Sequence, residues 1–474
     1  MNKPPLASTH DRSHTLGACQ FRPAMSDLVR VGSPSRRWFL QAGLGGIAGL
    51  STSQIFGMEA RAKASRASGE RKPEPGKKSV ILFWLSGGPS HIDMWDPKPD
   101  ATEQIRGPWG TIETSVPGIR ISEHLPRQAA MMHKMSILRS VDCSASTHTP
   151  ITMQAGHPLA RRTDDGKDGG GFPSMGSVAA KFAGPIDPAL PPFVALADSL
   201  KADVWGAGDL GSAFEPIQGT ALAGSFAPPK GVTIDRLTNR ERMRRSFYDL
   251  QRAVNESATA ASLDHYTSLA TDMILSGKAL KAFDTSREDP RLRDSYGRTS
   301  IGEKALLARR MVEAGVRFVV VSGAWGYFDH HGDHVQWKGI EKGLKPLMPH
   351  VDNAFATLIT DLEQRGILDD TLVLMMGEFG RAPVINMEAG REHWTNVMSM
   401  LVAGGGLNHG QAIGSTDSKG HSVLDRKISP QDLAATVFRQ LGIDLESTWM
   451  DPQGRPIPLV YNGGQPIQEL FGTA

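Results

Sequence analysis

Phe328-Asp329-His330-His331-Gly332-Asp333-His334 places five metal-competent side chains within seven residues, shortly after the apolar run Val316 to Val321. Two other apolar runs also lead into polar, glycine-containing loops. Val80 to Leu85 runs into Ser86-Gly87-Gly88-Pro89-Ser90-His91-Ile92-Asp93, and Leu372 to Met376 runs into Gly377-Glu378-Phe379-Gly380-Arg381. Loops at the carboxyl ends of parallel strands meet in one crevice of an α/β sheet. The three runs therefore predict strands, and the three loops predict one shared site.

The pattern between the runs supports this reading. Arg127 to Met135 suggests a helix before a strand at Ser136 to Val141. Ser300 to Ala314 has a Ser300-x-x-Glu303 capping box and leads into the Val316 run. In Pro346 to Gly366, Leu347, Val351, Ala354, Phe355, Leu358 and Leu362 recur at helical spacing, and Gly366 ends the helix. Val397 to Val402 reads as a further strand, and Ser429-Pro430-Gln431-Asp432 caps a last helix through Leu441. Strands alternating with helices predict a doubly wound, mainly parallel α/β sheet with helices on both faces. The segment of about 164–294 is rich in Pro and Gly and is read as an irregular cap or insertion within one domain, 79–474.

The amino terminus stands apart. Ser35-Arg36-Arg37-Trp38-Phe39-Leu40 precedes an uncharged run from Gln41 to Met58 and then Ala60-Arg61-Ala62, the pattern of a twin-arginine signal with a cleavage site. Residues 1–62 are thus read as a leader and 63–78 as a basic linker, leaving 474 − 62 = 412 residues in the mature chain. The run is short and weakly apolar for a membrane span of about 20 residues. This predicts a periplasmic or secreted protein carried by the twin-arginine translocase, with no stable membrane span. Cys19 lies in the leader, so Cys143 has no intramolecular disulfide partner. A formal charge of +2, part of it in the leader, and no interleaved basic-aromatic stripe argue against nucleic acid.

Carboxylate and imidazole together suit zinc or manganese, with calcium as a further candidate. Asp329 and His331 form the first pair, with Asp333 and His334 in reserve. Gly390-Arg391-Glu392-His393-Trp394 follows the third strand, so His393 can complete the set, and Arg391 and Arg381 supply donors for an oxyanion. Ser144-Ala145-Ser146-Thr147-His148-Thr149-Pro150 lies between a strand and a helix. A hydroxyl there is either a helix cap or a nucleophile, and His148 is a ligand, an acid or a packing residue.

Taken in order, the segments 87–99 (Gly-Gly-Pro-Ser-His-Ile-Asp-Met-Trp-Asp-Pro-Lys-Pro), 172–178 (Phe-Pro-Ser-Met-Gly-Ser-Val), 377–383 (Gly-Glu-Phe-Gly-Arg-Ala-Pro) and 390–394 resemble domain-of-unknown-function family 1501, an exported branch of the alkaline phosphatase and sulfatase superfamily. That resemblance implies loops binding one or two divalent cations and transfer of phosphoryl or sulfuryl groups through a Ser, Thr or modified Cys nucleophile. It implies Asp329, His331 and His393 as ligands of one metal and Glu378 in the place of a late metal-binding aspartate. It also sets Ser146 where sulfatases carry their modified cysteine. Phe379 departs from the family pattern, where a histidine would follow the acid, and Ser86 departs where an aspartate would end the first strand. Asp93 or His91 is left to serve in its place. The expected activity is metal-dependent hydrolysis of a phosphate or sulfate ester of a small molecule or glycan. A catalytically inactive exported binding protein and a metal-dependent mutase or isomerase are the alternatives.

Overall fold

Strand β1 (Ser79–Trp84) is apolar on both faces because it lies at the centre of an eight-stranded sheet. A computed structural model describes residues 76–160, 168–198, 203–219, 233, 235–243, 273, 275–324 and 326–472. The segment read as a twin-arginine leader, 1–62, and most of that read as a linker, 63–78, lie outside them. The other strands of the sheet are β2 (Met135–Val141), β3 (Phe193–Leu196), β4 (Ile217–Gln218), β5 (Phe318–Ser322), β6 (Thr371–Met376), β9 (Met398–Gly404) and β10 (Gln411–Ile413). A two-stranded hairpin, β7 (Gly380–Arg381) with β8 (His393–Trp394), projects between β6 and β9.

The spatial order is β10-β2-β9-β6-β1-β5-β3-β4. Successive side chains of a strand point to opposite faces, which divides the apolar runs between two cores. Ile81, Phe83, Val319, Val321, Val373 and Met375 enter one. Val80, Leu82, Trp84, Phe318, Val320, Leu372, Leu374 and Met376 enter the other. Helices α3 (Ser300–Ala314) and α4 (Lys345–Gln364) cover the first face through Ala305, Met311, Val351 and Phe355. Helices α2 (Met175–Phe182) and α5 (Pro430–Gln440) cover the second through Val178, Ala179, Leu433 and Phe438. This is the doubly wound, mainly parallel α/β architecture expected from the sequence.

Three local expectations change. The β9 strand runs antiparallel to both β2 and β6. No helix crosses back between β6 and β9, and a parallel return requires such a crossover. The cap of α3 is Thr299, whose side chain accepts from Gly302 N, not Ser300. The segment read as an insertion is partly woven into the sheet: β3 pairs parallel with β5 and with β4, and α2 packs on the second core. By contrast, Ser429 and Asp432 form the complete capping box expected at α5.

Candidate metal centre

The centre is built at the carboxyl ends of β1, β2, β5 and β6. After β2, the loop to the short helix α1 (Ile151–Ala155) carries His148. After β5 comes Asp329, and after β6 comes Glu378. Hairpin pairing sets His393 opposite Arg381. Gly87 makes the meeting of loops possible. It has φ +104°, and a Cβ there would lie 2.5 Å from Asp329 N. A side chain at this position would be strained and would push the first loop off the Asp329 loop.

Asp329 is the focus. Its Oδ1 lies 3.0 Å from His393 Nε2 and 3.0 Å from His331 Nε2, and its Oδ2 lies 3.5 Å from His148 Nε2. Donor atoms of His148, Asp329 and His393 all fall within 4.8 Å of one another. His331 Nε2 adds a fourth group, 2.9 Å from His393 Nε2. Two of the rings are turned inward by carboxylates behind them. Glu378 Oε1 holds His148 Nδ1 at 2.9 Å, and Glu392 Oε2 holds His331 Nδ1 at 2.7 Å. A carboxylate on one ring nitrogen fixes the tautomer and aims the other nitrogen, the usual support of a metal-binding histidine. Three Nε2 atoms and one carboxylate form the donor set expected for zinc or manganese. The residues present therefore fit a divalent cation.

The electrostatics follow from this crowding. Burial would raise the Asp329 pKa, but hydrogen bonds to His148, His393 and Arg381 and the Arg381 charge hold it well below the usual carboxylate range. Burial lowers that of His148, yet Asp329 and Glu378 outweigh it and lift the ring to about 9. At neutral pH the ring is thus protonated in the metal-free protein, and a cation taking Nε2 must displace that proton. His393 is lowered, by burial first, against the opposing effect of its hydrogen bond to Asp329.

Several expected roles change. Arg381 is 2% exposed and its guanidinium is enclosed. It donates to Gly88 O at 3.0 Å, Arg391 O at 3.0 Å, Phe328 O at 3.1 Å, Gly87 O, and Asp329 Oδ1 at 2.5 Å. With its donors engaged, it positions Asp329 and is not open to an oxyanion. Arg391 and Asp93 pair with each other, Nε to Oδ2 at 2.7 Å and Nη2 to Oδ1 at 2.8 Å, with both side chains 1% exposed. Asp93 is therefore held as a counter-ion, not presented to the cation, and Arg391 as an anchor of the hairpin. Glu378 reaches the centre through His148. Asp333 bonds to Lys342 and Gly339 N, and exposed His334 faces Glu388 at 3.6 Å. His91 is buried, with Nε2 2.8 Å from Gly420 O.

Of the two roles open to the hydroxyls, the helix cap is not taken. Ser146 is buried and its Oγ donates to Thr147 O at 3.4 Å, while Thr147 is exposed with its Oγ1 3.1 Å from Thr149 Oγ1. Helix α1 has five residues and Pro150 at its N-cap, so neither hydroxyl caps it. Phe379, 1% exposed, packs its ring 4.3 Å from that of His393 and 5.6 Å from that of His148. Sequence reading missed Glu392, although it stands next to His393 in a segment already singled out.

Residues 77–471 match the family described as protein of unknown function (DUF1501), and the chain belongs to that family. Similar solved structures include Ps i-CgsB, at 12% identity and TM-score 0.38 over 78% of this chain and 73% of that one. The PsFucS1 sulfatase from Pseudoalteromonas sp. is 12% identical with TM-score 0.36, over 86% of this chain and 72% of the other. The phosphonate monoester hydrolase SpPMH from Silicibacter pomeroyi is 10% identical with TM-score 0.35, over 84% and 77%. No curated protein matches the sequence.

Proposed function

We propose that the chain is an exported, metal-dependent hydrolase of phosphate or sulfate esters. The observation that carries this is the convergence of three histidine Nε2 atoms on Asp329, two of them aimed by glutamates. His148, His331, His393 and Asp329 would hold the cation. When bound, it supplies Lewis acidity to an ester oxygen and acidifies an attacking hydroxyl or water. The chain's residues do the rest. Glu378 and Glu392 orient the rings, and Arg381 fixes the Asp329 carboxylate. Thr147, exposed and adjacent to His148, offers the accessible hydroxyl, whereas that of Ser146 is turned to a neighbouring carbonyl.

Metal-loaded protein is expected to cleave an activated aryl phosphate or sulfate, with loss on chelation. Thr147→Ala is expected to lower kcat by about 100-fold or more while leaving bound metal unchanged, separating nucleophile from ligand. Activity that survives this change assigns the attack to water. A metal-bearing protein inert toward both ester classes sinks the hydrolase reading in favour of a binding protein. The hydrogen bonds of the Ser146 and Thr147 hydroxyls away from the centre are the one observation on that side.

Export rests on Arg36-Arg37 before the uncharged run. Replacing both arginines by lysine is expected to retain the precursor in the cytoplasm. Unchanged periplasmic yield on fractionation excludes the twin-arginine route.

A further inference from the structure

The chain between β10 and the last helix is written mostly in small and polar letters, Gly414 to Lys427, and folds as a two-stranded hairpin, β11 (Ser415–Thr416) with β12 (Val423–Asp425). Ile428 pairs parallel with Val141, which sets this hairpin at the carboxyl end of the sheet beside the loop after β2. Two contacts tie it to the loops of the metal centre. Trp394 Nε1, one residue beyond His393, donates to His421 O at 2.7 Å, and His91 Nε2 lies 2.8 Å from Gly420 O.

Between the hairpin, Asp142 and Ser144 after β2, and Asn396 before β9 lies a crevice of about 500 Å³, open to solvent. Small-molecule sites enclose roughly 300–1,000 Å³. The metal centre is close by. Asn396 is three residues from His393 and Ser144 four from His148, no more than about 14 Å of extended chain.

The lining is selective in its chemistry. Both cations on it are matched, Lys427 Nζ with Asp142 Oδ2 at 2.6 Å and Arg426 Nε with Glu469 Oε1 at 2.5 Å. Asp425 Oδ1 accepts from Ser415 Oγ at 2.5 Å and, among the described residues, pairs with no cation. A second anionic group would therefore find no free cation here and would meet an uncompensated carboxylate. Among the described residues no aromatic side chain lines the crevice, so a nucleobase has nothing to stack on, and its polar walls do not suit a lipid chain. They do suit hydroxyl groups. The exposed Asn396 amide carries a donor and an acceptor side by side, and Asp425 adds an acceptor. Leu424, 71% exposed, offers apolar surface to the C–H face of a ring.

We propose that this crevice binds the alcohol half of the ester and that the alcohol is an uncharged sugar, its adjacent hydroxyls bonded to Asn396 and Asp425 and its C–H face set on Leu424. On the hydrolase reading, which this assignment requires, the cation takes the phosphate or sulfate group. The hairpin, tied to the His393 strand through Trp394, then holds the sugar at a fixed reach from it.

The test uses the metal-loaded full chain and compares turnover of the monosulfates and monophosphates of glucose and galactose with that of nitrophenyl sulfate and phosphate. At least one sugar ester is expected to be cleaved. Asn396→Ala together with Asp425→Ala should raise its KM at least about tenfold, the loss of two hydrogen bonds to uncharged hydroxyls. The fall in kcat/KM should exceed that on the nitrophenyl esters by the same factor. Cleavage of nitrophenyl esters alone, an equal fall on both kinds of ester, or no fall, overturns the subsite. Should the melting curve show the double variant unfolded, Asn396→Trp, which fills the crevice from an exposed position, carries the same expectation. If neither kind of ester is cleaved, the hydrolase reading fails by itself, and saturation-transfer NMR of methyl glucoside and methyl galactoside at millimolar concentration still reads the crevice. Ring-proton signals that vanish on substitution keep a sugar site, and signals that are absent or persist overturn it.

Discussion

Asp329→Ala is expected to empty the histidine centre of metal and, on the proposed function, to abolish ester hydrolysis. Three Nε2 atoms lie within 3.5 Å of this carboxylate, and among the described residues no other carboxylate joins the cluster of His148, Asp329 and His393. Altering an outer partner of a metal site costs about 10–100-fold in affinity, so removal of the central carboxylate should exceed that range. Glu392→Gln, which reaches the centre through His331 Nδ1, should fall within or below it. Metal analysis of the purified proteins checks both. Stoichiometric zinc or manganese in Asp329→Ala, at an affinity equal to that of Glu392→Gln, would remove Asp329 from the site.

The second large effect is on stability. Asp93→Ala leaves the Arg391 guanidinium buried without its bidentate partner, and breaking a buried pair from one side costs about 3–5 kcal/mol. Replacing both partners by apolar residues, as in Asp93→Leu with Arg391→Met, should cost less than the single change, because no charge is stranded. Denaturant unfolding compares the two. The idea fails if the single substitution costs under about 1 kcal/mol. Because Arg391 precedes Glu392 and His393, the single variant should also loosen metal binding, by displacing the hairpin.

What was legible in the sequence divides along physical lines. The strands at Val80, Val316 and Leu372 could be read because a strand buried on both faces is written as a continuous apolar run. Strand direction is not written there. Met398–Gly404 has the same apolar composition as the parallel strands of the sheet, yet lies antiparallel because the connection before it, residues 377–397, forms a hairpin and no crossover helix. Phe193–Leu196 was hidden by its four-residue length among prolines and glycines.

The site divides likewise. Asp329, His331 and His393 announce themselves through local crowding of ligand types. The pairing of Asp93 with Arg391 spans 298 residues and has no local signature. Both looked like site residues because a buried charge and a working charge are the same letters. His148 could be placed near the centre but not assigned a role, since that depended on Glu378, 230 residues away, taking its Nδ1.

The Arg381 guanidinium gathers the carbonyls of Gly87, Gly88, Phe328 and Arg391 around itself, joining chain segments as far apart as 294 residues. Contacts between such distant segments carry a large loop-closure cost before they return any stabilisation. The knot cannot be tied until β1, β5 and β6 are already side by side, so the centre is a late arrival in folding. A chain arrested just short of the native state would have its sheet and both cores, and no place for an ion.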